Sequence, residues 1–406
     1  MKKLIPFYFN VFASYLGTSM MVLIFTLMFF AENQSATVLS MSSFEKANMF
    51  GLLITLFPLG QFLGSPVIGA LTDRFGRRSI ILITLFCAFL SYVTISISFQ
   101  FDLLMLMGMA LFFGGLFESN IALTQNVIAD LFVQKKRAVY FSYIGTMTSS
   151  AYLLGPLFVG FLSKSTQFSW ITAATPFWFV TFLLAIIFLW IALFFEETHI
   201  ASKRVHVHWL QALSNVKNIF CDKQMRLYYL LTFITCCAKF GFFRFLPLYL
   251  TEQFSLSTKT IALVISFGAL PMFLNTLFFL PRFLKRYTVN QIFKVSSIVY
   301  CPMSLVLLFV TDFNWIWPVV FFTFICSSFS MMTLMPIISN QAPENRQGGV
   351  MGNNMSVLLL AQIVIGPIGG LLAGHWFKSP LILCSLLSLV AGLYFCKLDL
   401  KPKTCL

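Results

Sequence analysis

The chain has 406 residues, 59% of them apolar and only 10% charged, where a soluble domain carries about 25% charged residues. With 50 phenylalanines and a mean hydropathy of +0.88, this excludes an ordinary water-soluble enzyme and makes lipid the main solvent. The formal charge of +14, from 27 Lys+Arg against 13 Asp+Glu, would suggest nucleic acid in a soluble protein; in a membrane protein it belongs to the cytoplasmic face, and no nucleic-acid partner is expected.

Apolar segments recur at 4–31, 47–71, 79–100, 103–129, 138–163, 172–195, 226–251, 260–280, 288–310, 315–339, 348–374 and 380–396. Each has about 20 residues or more and, at a rise of about 1.5 Å per residue, crosses a hydrocarbon core of about 30 Å. The first follows Met1-Lys2-Lys3, but it is too long for a signal-peptide core and has no small-residue cleavage site, so it reads as a retained helix. The predicted fold class is an all-α polytopic membrane protein with 12 transmembrane helices. Nine scattered cysteines, mostly inside apolar stretches, read as packing residues rather than as a disulfide framework or metal site.

With the N-terminus inside, the cytoplasmic segments hold 21 Lys and Arg residues, from Lys2 and Lys3 through Lys135, Lys136, Arg137, Lys203 and Arg204 to Lys401 and Lys403. The opposite side holds only Lys46, Lys164, Lys259 and Lys378. The bias places both termini in the cytoplasm; a bacterial inner (plasma) membrane, membrane lipid as surroundings and a monomer are the accompanying expectations. The longest polar stretch divides the chain into an N-terminal six-helix bundle (1–195), a cytoplasmic linker (196–225) and a C-terminal six-helix bundle (226–406). The bundles read as a repeat: Gly155-Pro156 with Gly160 in segment 5 returns as Gly366-Pro367 with Gly369 and Gly370 in segment 11, at an offset of 211 residues. At the same offset the basic loop 73–78 falls on Leu284, Lys285 and Arg286, again between two helices. Duplicated six-helix units are a common transporter architecture.

Between segments 2 and 3 stands Gly69-Ala70-Leu71-Thr72-Asp73-Arg74-Phe75-Gly76-Arg77-Arg78. Gly69 is expected to let two helices approach closely and Gly76 to permit a tight turn, with the charges tying that turn to neighbouring helix ends. The run resembles, almost position for position, the cytoplasmic loop signature of the major facilitator superfamily. The resemblance implies the fold of that superfamily. It also implies a cytoplasmic gate in which Asp73 meets segment 11 and a charged partner from segment 4, where Asp130, at its inner end, and Lys135, Lys136 and Arg137 beyond it are the available neighbours. Gly155-Pro156 resembles the segment 5 signature of the drug/proton antiporters, although position 159 is Val, and Asn340 to Gly352 resembles the loop entering segment 11 of tetracycline-exporter relatives. Glycines spaced along these helices serve as a packing motif, and each proline bends its helix. Segment 1 departs from those exporters: Ser14-Tyr15-Leu16-Gly17 carries neither the acid nor the proline found there.

An ionisable side chain at mid-bilayer costs several kcal/mol unless it meets a cavity or a partner, and so marks a functional candidate. Glu118 falls near the centre of segment 4, where a continuous helix would align it with Gly114, Ala122, Gln125 and Asn126 in a small, polar face. Lys239 and Arg244 lie in segment 7. The resemblance places segments 1, 4, 7 and 10 around a central cavity, so Glu118, Lys239, Arg244, Gln125 and Asn126 are the expected proton and substrate path. Two cations against one acid favour an anionic or zwitterionic small molecule. His206-Val207-His208 lacks a third ligand for a metal, and with no phosphate-binding Gly-rich loop neither ATP nor any cofactor is expected. No catalytic cluster indicates an enzyme.

The expected function is secondary active transport of a small organic solute by alternating access, as a proton-coupled exporter. Proton-linked uptake, export of an anionic metabolite such as a carboxylate siderophore, and a non-transporting membrane sensor are the alternatives.

Overall fold

A computed structural model describes residues 4–31, 36–132, 134–162, 172–197, 211–343 and 346–399. Glu344, Asn345 and the side chains of Lys2, Lys3, Lys135, Lys136, Arg137, Lys164, Lys203, Arg204, His206, His208, Lys401 and Lys403 lie outside the described residues. The described chain runs through α1 (Ile5–Phe30), α2 (Ala36–Leu39), α3 (Ser43–Phe75), α4 (Arg77–Gln100), α5 (Leu104–Leu116), α6 (Asn120–Leu131), α7 (Gln134–Leu162), α8 (Thr175–Phe194) and α9 (Gln211–Cys221). It continues through α10 (Arg226–Phe254), α11 (Thr258–Leu274), a π-helix (Asn275–Phe279), α12 (Leu280–Phe283), α13 (Val289–Phe309), α14 (Ile316–Gln341), α15 (Gln347–His375) and α16 (Ser379–Asp399). Among the described residues, 12 helical spans are long and apolar enough to cross a membrane.

The ends of these helices have local causes. Pro6 stands in the first turn of α1, where a missing N–H costs nothing. Thr288 and Gln291 form a reciprocal capping box at the start of α13. Gly76, at φ +93°, turns the chain between α3 and α4, in a region that side chains with a Cβ avoid. The fourth span departs from the expected continuous helix. It stops at Leu116 and restarts at Asn120, so the helical register linking Glu118 to both Gly114 and Gln125 is interrupted.

Two compact units emerge. The first gathers the described residues up to Ser40, of Leu53–Ala212 and of Thr258–Ser266; within it α1 packs on α7 and α8, and α4 on α5 and α8. Backbone-to-backbone contact at Gly60 and Gly64 of α3 with Phe112 and Leu116 of α5 leaves no room for a Cβ. The second unit gathers Met41–Leu52, Leu213–Ser257 and the described residues from Phe267 onward; α10 packs on α15 and α16, and α13 on α14 and α16. Phe7, Phe25, Phe177, Phe245, Phe293 and Phe395 fill the interiors, while Phe182, Phe309 and Leu193 are strongly exposed. In a spanning helix such exposure is the surface offered to acyl chains, which needs no polar cover.

Candidate functional site

The break in the fourth span holds Glu118. Its side chain is buried, with 6% of the residue exposed, and its carboxylate accepts from Asn120 Nδ2 at 3.2 Å. The same amide nitrogen donates to Ser14 Oγ of α1 at 2.5 Å, and Ser14 and the Asn120 backbone also bond to the carboxylate. Tyr15 of α1 and Tyr92 of α4 lie within electrostatic reach. The backbone carbonyl of Glu118 accepts from Ser65 of α3 at 3.3 Å. A buried acid is thus held in a polar nest built by α1, α3, α4 and the start of α6, which is what an ionisable group at this depth requires. Ser119 Oγ and Tyr92 Oη are buried there without a hydrogen-bond partner among the described residues. Gln125 is exposed and Asn126 half-exposed on α6.

Lys239 and Arg244 of α10 are both 5% exposed, and the partners described for them belong to their own unit. Lys239 Nζ donates to Ser388 Oγ of α16 at 2.8 Å and sits 3.2 Å from the ring centroid of Tyr300 on α13. Ser388 Oγ in turn donates to the backbone carbonyl of Ser297 at 2.9 Å. Arg244 clamps one residue of α15: Nη1 donates to the Gln362 carbonyl and Nη2 to its side-chain oxygen, each at 2.8 Å. All these partners are neutral.

The turn between α3 and α4 is organised by Arg77. Its guanidinium bonds Asp73 at 2.5 Å, Asp130 at 3.1 Å and Thr72 Oγ1 at 2.8 Å. Asp73 and Asp130 do not pair with each other, both being acidic, and each meets Arg77; the other charged neighbours expected for Asp73, the side chains of Lys135, Lys136 and Arg137, lie outside the described residues. Arg77 is nearly buried while the Asp73 side chain is 46% exposed, so the arginine rather than the aspartate is the centre of the cluster. Arg74 lies over the ring of Phe75, 5.2 Å from its centroid. Among the described residues no heavy atom lies within 4 Å of where a Cβ on Gly69 would be, whereas α3 makes close approaches at Gly60 and Gly64, further from the turn.

Sequence reasoning missed Glu197, just beyond α8. Its two carboxylate oxygens accept the backbone N–H groups of Arg77 and Arg78, each at 2.9 Å, an anion seated on the N-terminus of α4. Arg78 Nη2 returns a bond to the carbonyl of Ala192 at 2.7 Å, capping the end of α8. A Cβ at Gly76 would press on the Glu197 carboxylate, its Oε2 at 2.5 Å, a second reason for glycine at that position. The 119 and 120 residues separating these partners leave no local signal; an acid directly after an apolar span was the one available hint.

The recurring Gly-Pro segments sit at helix contacts. A Cβ at Gly155 would strike Ser19 Oγ of α1, and one at Gly160 would press on Ala262 of α11. Gly366 and Gly370 of α15 lie against Gly51 of α3, and Gly369 lies under the ring of Phe245. Pro156 and Pro367 are inside their helices.

Residues 7–364 match the Major Facilitator Superfamily. The chain is 24% identical over 383 residues to the quinolone resistance protein NorA of Staphylococcus aureus, covering 93% of this chain and 90% of the relative. It is 29% identical over 157 residues to the class B tetracycline resistance protein of Escherichia coli, covering 39% of this chain and 37% of the relative. Among solved structures it resembles the human organic anion transporter MFSD10, with a TM-score of 0.73 at 16% identity over 97% of this chain and 98% of the other. The protein belongs to the major facilitator superfamily. It is an integral membrane transporter with 12 spans.

Proposed function

We propose that this transporter is a proton-coupled exporter of small organic molecules, working by alternating access in a bacterial plasma membrane with both termini in the cytoplasm. Residues 1–195 and 226–406 would act as its two moving bundles. The observation that carries the reading is Glu118: a buried acid at a helix break, bonded by neutral donors that suit either protonation state. An ionised carboxylate accepts from Asn120 and Ser14; once protonated it keeps one acceptor oxygen and can itself donate to Ser14 Oγ. Export is supported by the names of the relatives, both resistance proteins. Alternating access is supported by the helix break at Glu118 and by the close glycine contacts of α7 and α15, features that transporter helices share.

The substrate class follows from residue type. Two basic side chains at membrane depth, Lys239 and Arg244, against one acid, Glu118, favour an anionic or zwitterionic solute along a path that includes Glu118, Gln125 and Asn126. The 73–78 turn, with Asp130 and Glu197, is the cytoplasmic gate element, and its fixed charges tie four helices together on that side. Reconstituted protein in proteoliposomes with an imposed pH gradient, offered zwitterionic, anionic and cationic solutes, tests the reading. Gradient-driven movement of a zwitterionic quinolone is expected; movement independent of pH for every solute would refute it.

A further inference from the structure

The second repeat carries its own basic turn, and it is built differently from the first. In the 73–78 turn the cations are matched by Asp73, Asp130 and Glu197. At the offset of 211 residues Leu284 stands where the first repeat has Asp73, and the sequence contains no acid between Glu252 and Asp312. Arg282, Lys285 and Arg286 are all exposed there. Arg282 donates to the carbonyl of Phe278 at 3.0 Å, a bond within its own turn that leaves most of its donors directed outward.

The apolar side chains between these cations are exposed as well. Phe278, Phe283, Leu284 and Tyr287 are each 43–51% exposed, in a turn where an aqueous loop would normally present polar groups. Phe283 is fixed by Phe329 of α14, ring centroids 5.1 Å apart, and by Tyr287 at 6.0 Å. The segment is therefore an ordered shelf in which rings and cations alternate at the end of a spanning helix. Such a surface is complementary to a phase that is apolar on one side and anionic on the other. Water satisfies only the cations, and an acyl chain only the rings.

We propose that Arg282, Lys285 and Arg286, with Phe283, Leu284 and Tyr287, form a docking site for anionic phospholipid headgroups of the cytoplasmic leaflet. The guanidinium and ammonium groups take the phosphate, while the rings and Leu284 lie at the boundary of the acyl chains. Juxtamembrane cations attract anionic lipid additively, and planar guanidinium groups hold phosphate oxygens in a fork. The first repeat offers less of such a site, because Arg77 and Arg78 are engaged by internal acids and a carbonyl and only Arg74 is left exposed over Phe75.

The test uses purified full-length protein in detergent, titrated with phosphatidylglycerol or phosphatidylcholine, with bound lipid counted by native mass spectrometry. No substrate is needed, so the result does not depend on the direction or coupling of transport. Wild type should retain phosphatidylglycerol in preference to phosphatidylcholine. The triple variant Arg282→Gln, Lys285→Gln, Arg286→Gln should retain it at least about tenfold less. A control triple, Lys217→Gln, Lys223→Gln, Lys397→Gln, removes the same charge from other exposed positions and should bind as wild type. Leu284→Asp, which restores the acid of the first repeat without removing a basic residue, should also lose the preference and covers the case in which the triple variant does not insert. Equal retention of the two lipids by wild type, or an equal loss in the control triple, would overturn the proposal.

Discussion

Asn120 reaches Glu118 with its side-chain amide, Nδ2 to Oε2 at 3.2 Å, although the two residues are only two positions apart. In an unbroken helix such neighbours point to different sides. The contact exists because the fourth span stops at Leu116 and restarts at Asn120, which turns the carboxylate back toward the new helix start and toward Ser14. Asn120→Ala should therefore disturb the acid without touching it. A hydrogen bond to a carboxylate contributes about 1.5–3 kcal/mol, so the initial rate of pH-driven transport should fall about tenfold or more and its pH profile should move. Rates measured across pH with an unchanged profile would separate Asn120 from the proton site.

The turn between α3 and α4 should depend on Arg77 more than on Asp73. Arg77→Gln leaves two carboxylates facing each other, one of them mostly buried, and should cost roughly 2–3 kcal/mol, somewhat less than a fully buried pair. Asp73→Asn removes a half-exposed partner and should cost about 1 kcal/mol or less, lowering transport while protein accumulates normally in the membrane. Thermal stability and transport of the two variants, measured side by side, check the ranking; greater damage from Asp73→Asn would reverse it.

Glu197→Gln should weaken the cap on α4. The carboxylate is exposed, so the loss is about 0.5–1 kcal/mol, or about 1–2 °C in Tm. The amide retains one acceptor oxygen, so one of the two backbone bonds survives. Glu197→Ala should lose both and show a larger shift, and equal stability in both variants would remove Glu197 from the turn.

Substrate charge preference should follow the second bundle. Arg244→Gln and Lys239→Met each remove a positive charge at membrane depth, and each should weaken binding of an anionic or zwitterionic solute by about tenfold while leaving a neutral solute unaffected. Equilibrium binding of matched solutes checks this; an equal loss for the neutral solute would assign both residues to packing alone.

The spans were legible because lipid as solvent demands long apolar helices, and segment 260–280, for example, appears as Thr258–Phe283. The break at Glu118 was not, since Gly114 to Phe117 reads as continuous apolar helix; only the Gly114-Gly115 pair and Ser119 hinted that the helix stops there. Partner identities were hidden by distance along the chain: Lys239 finds Ser388 149 positions away, and Glu197 finds Arg77 at 120. The loop signature located the charged turn correctly, yet motif order alone did not reveal that Arg77 joins both aspartates, because spacing says nothing about which side chain is buried.

The most direct test of the account is transport by Glu118→Gln in proteoliposomes under an imposed pH gradient, with substrate binding measured on the same preparation. The amide keeps the shape and hydrogen bonding of the acid but cannot take up a proton. The account predicts that gradient-driven accumulation is lost while binding persists. Accumulation at the wild-type level by this variant would contradict it and send the proton elsewhere.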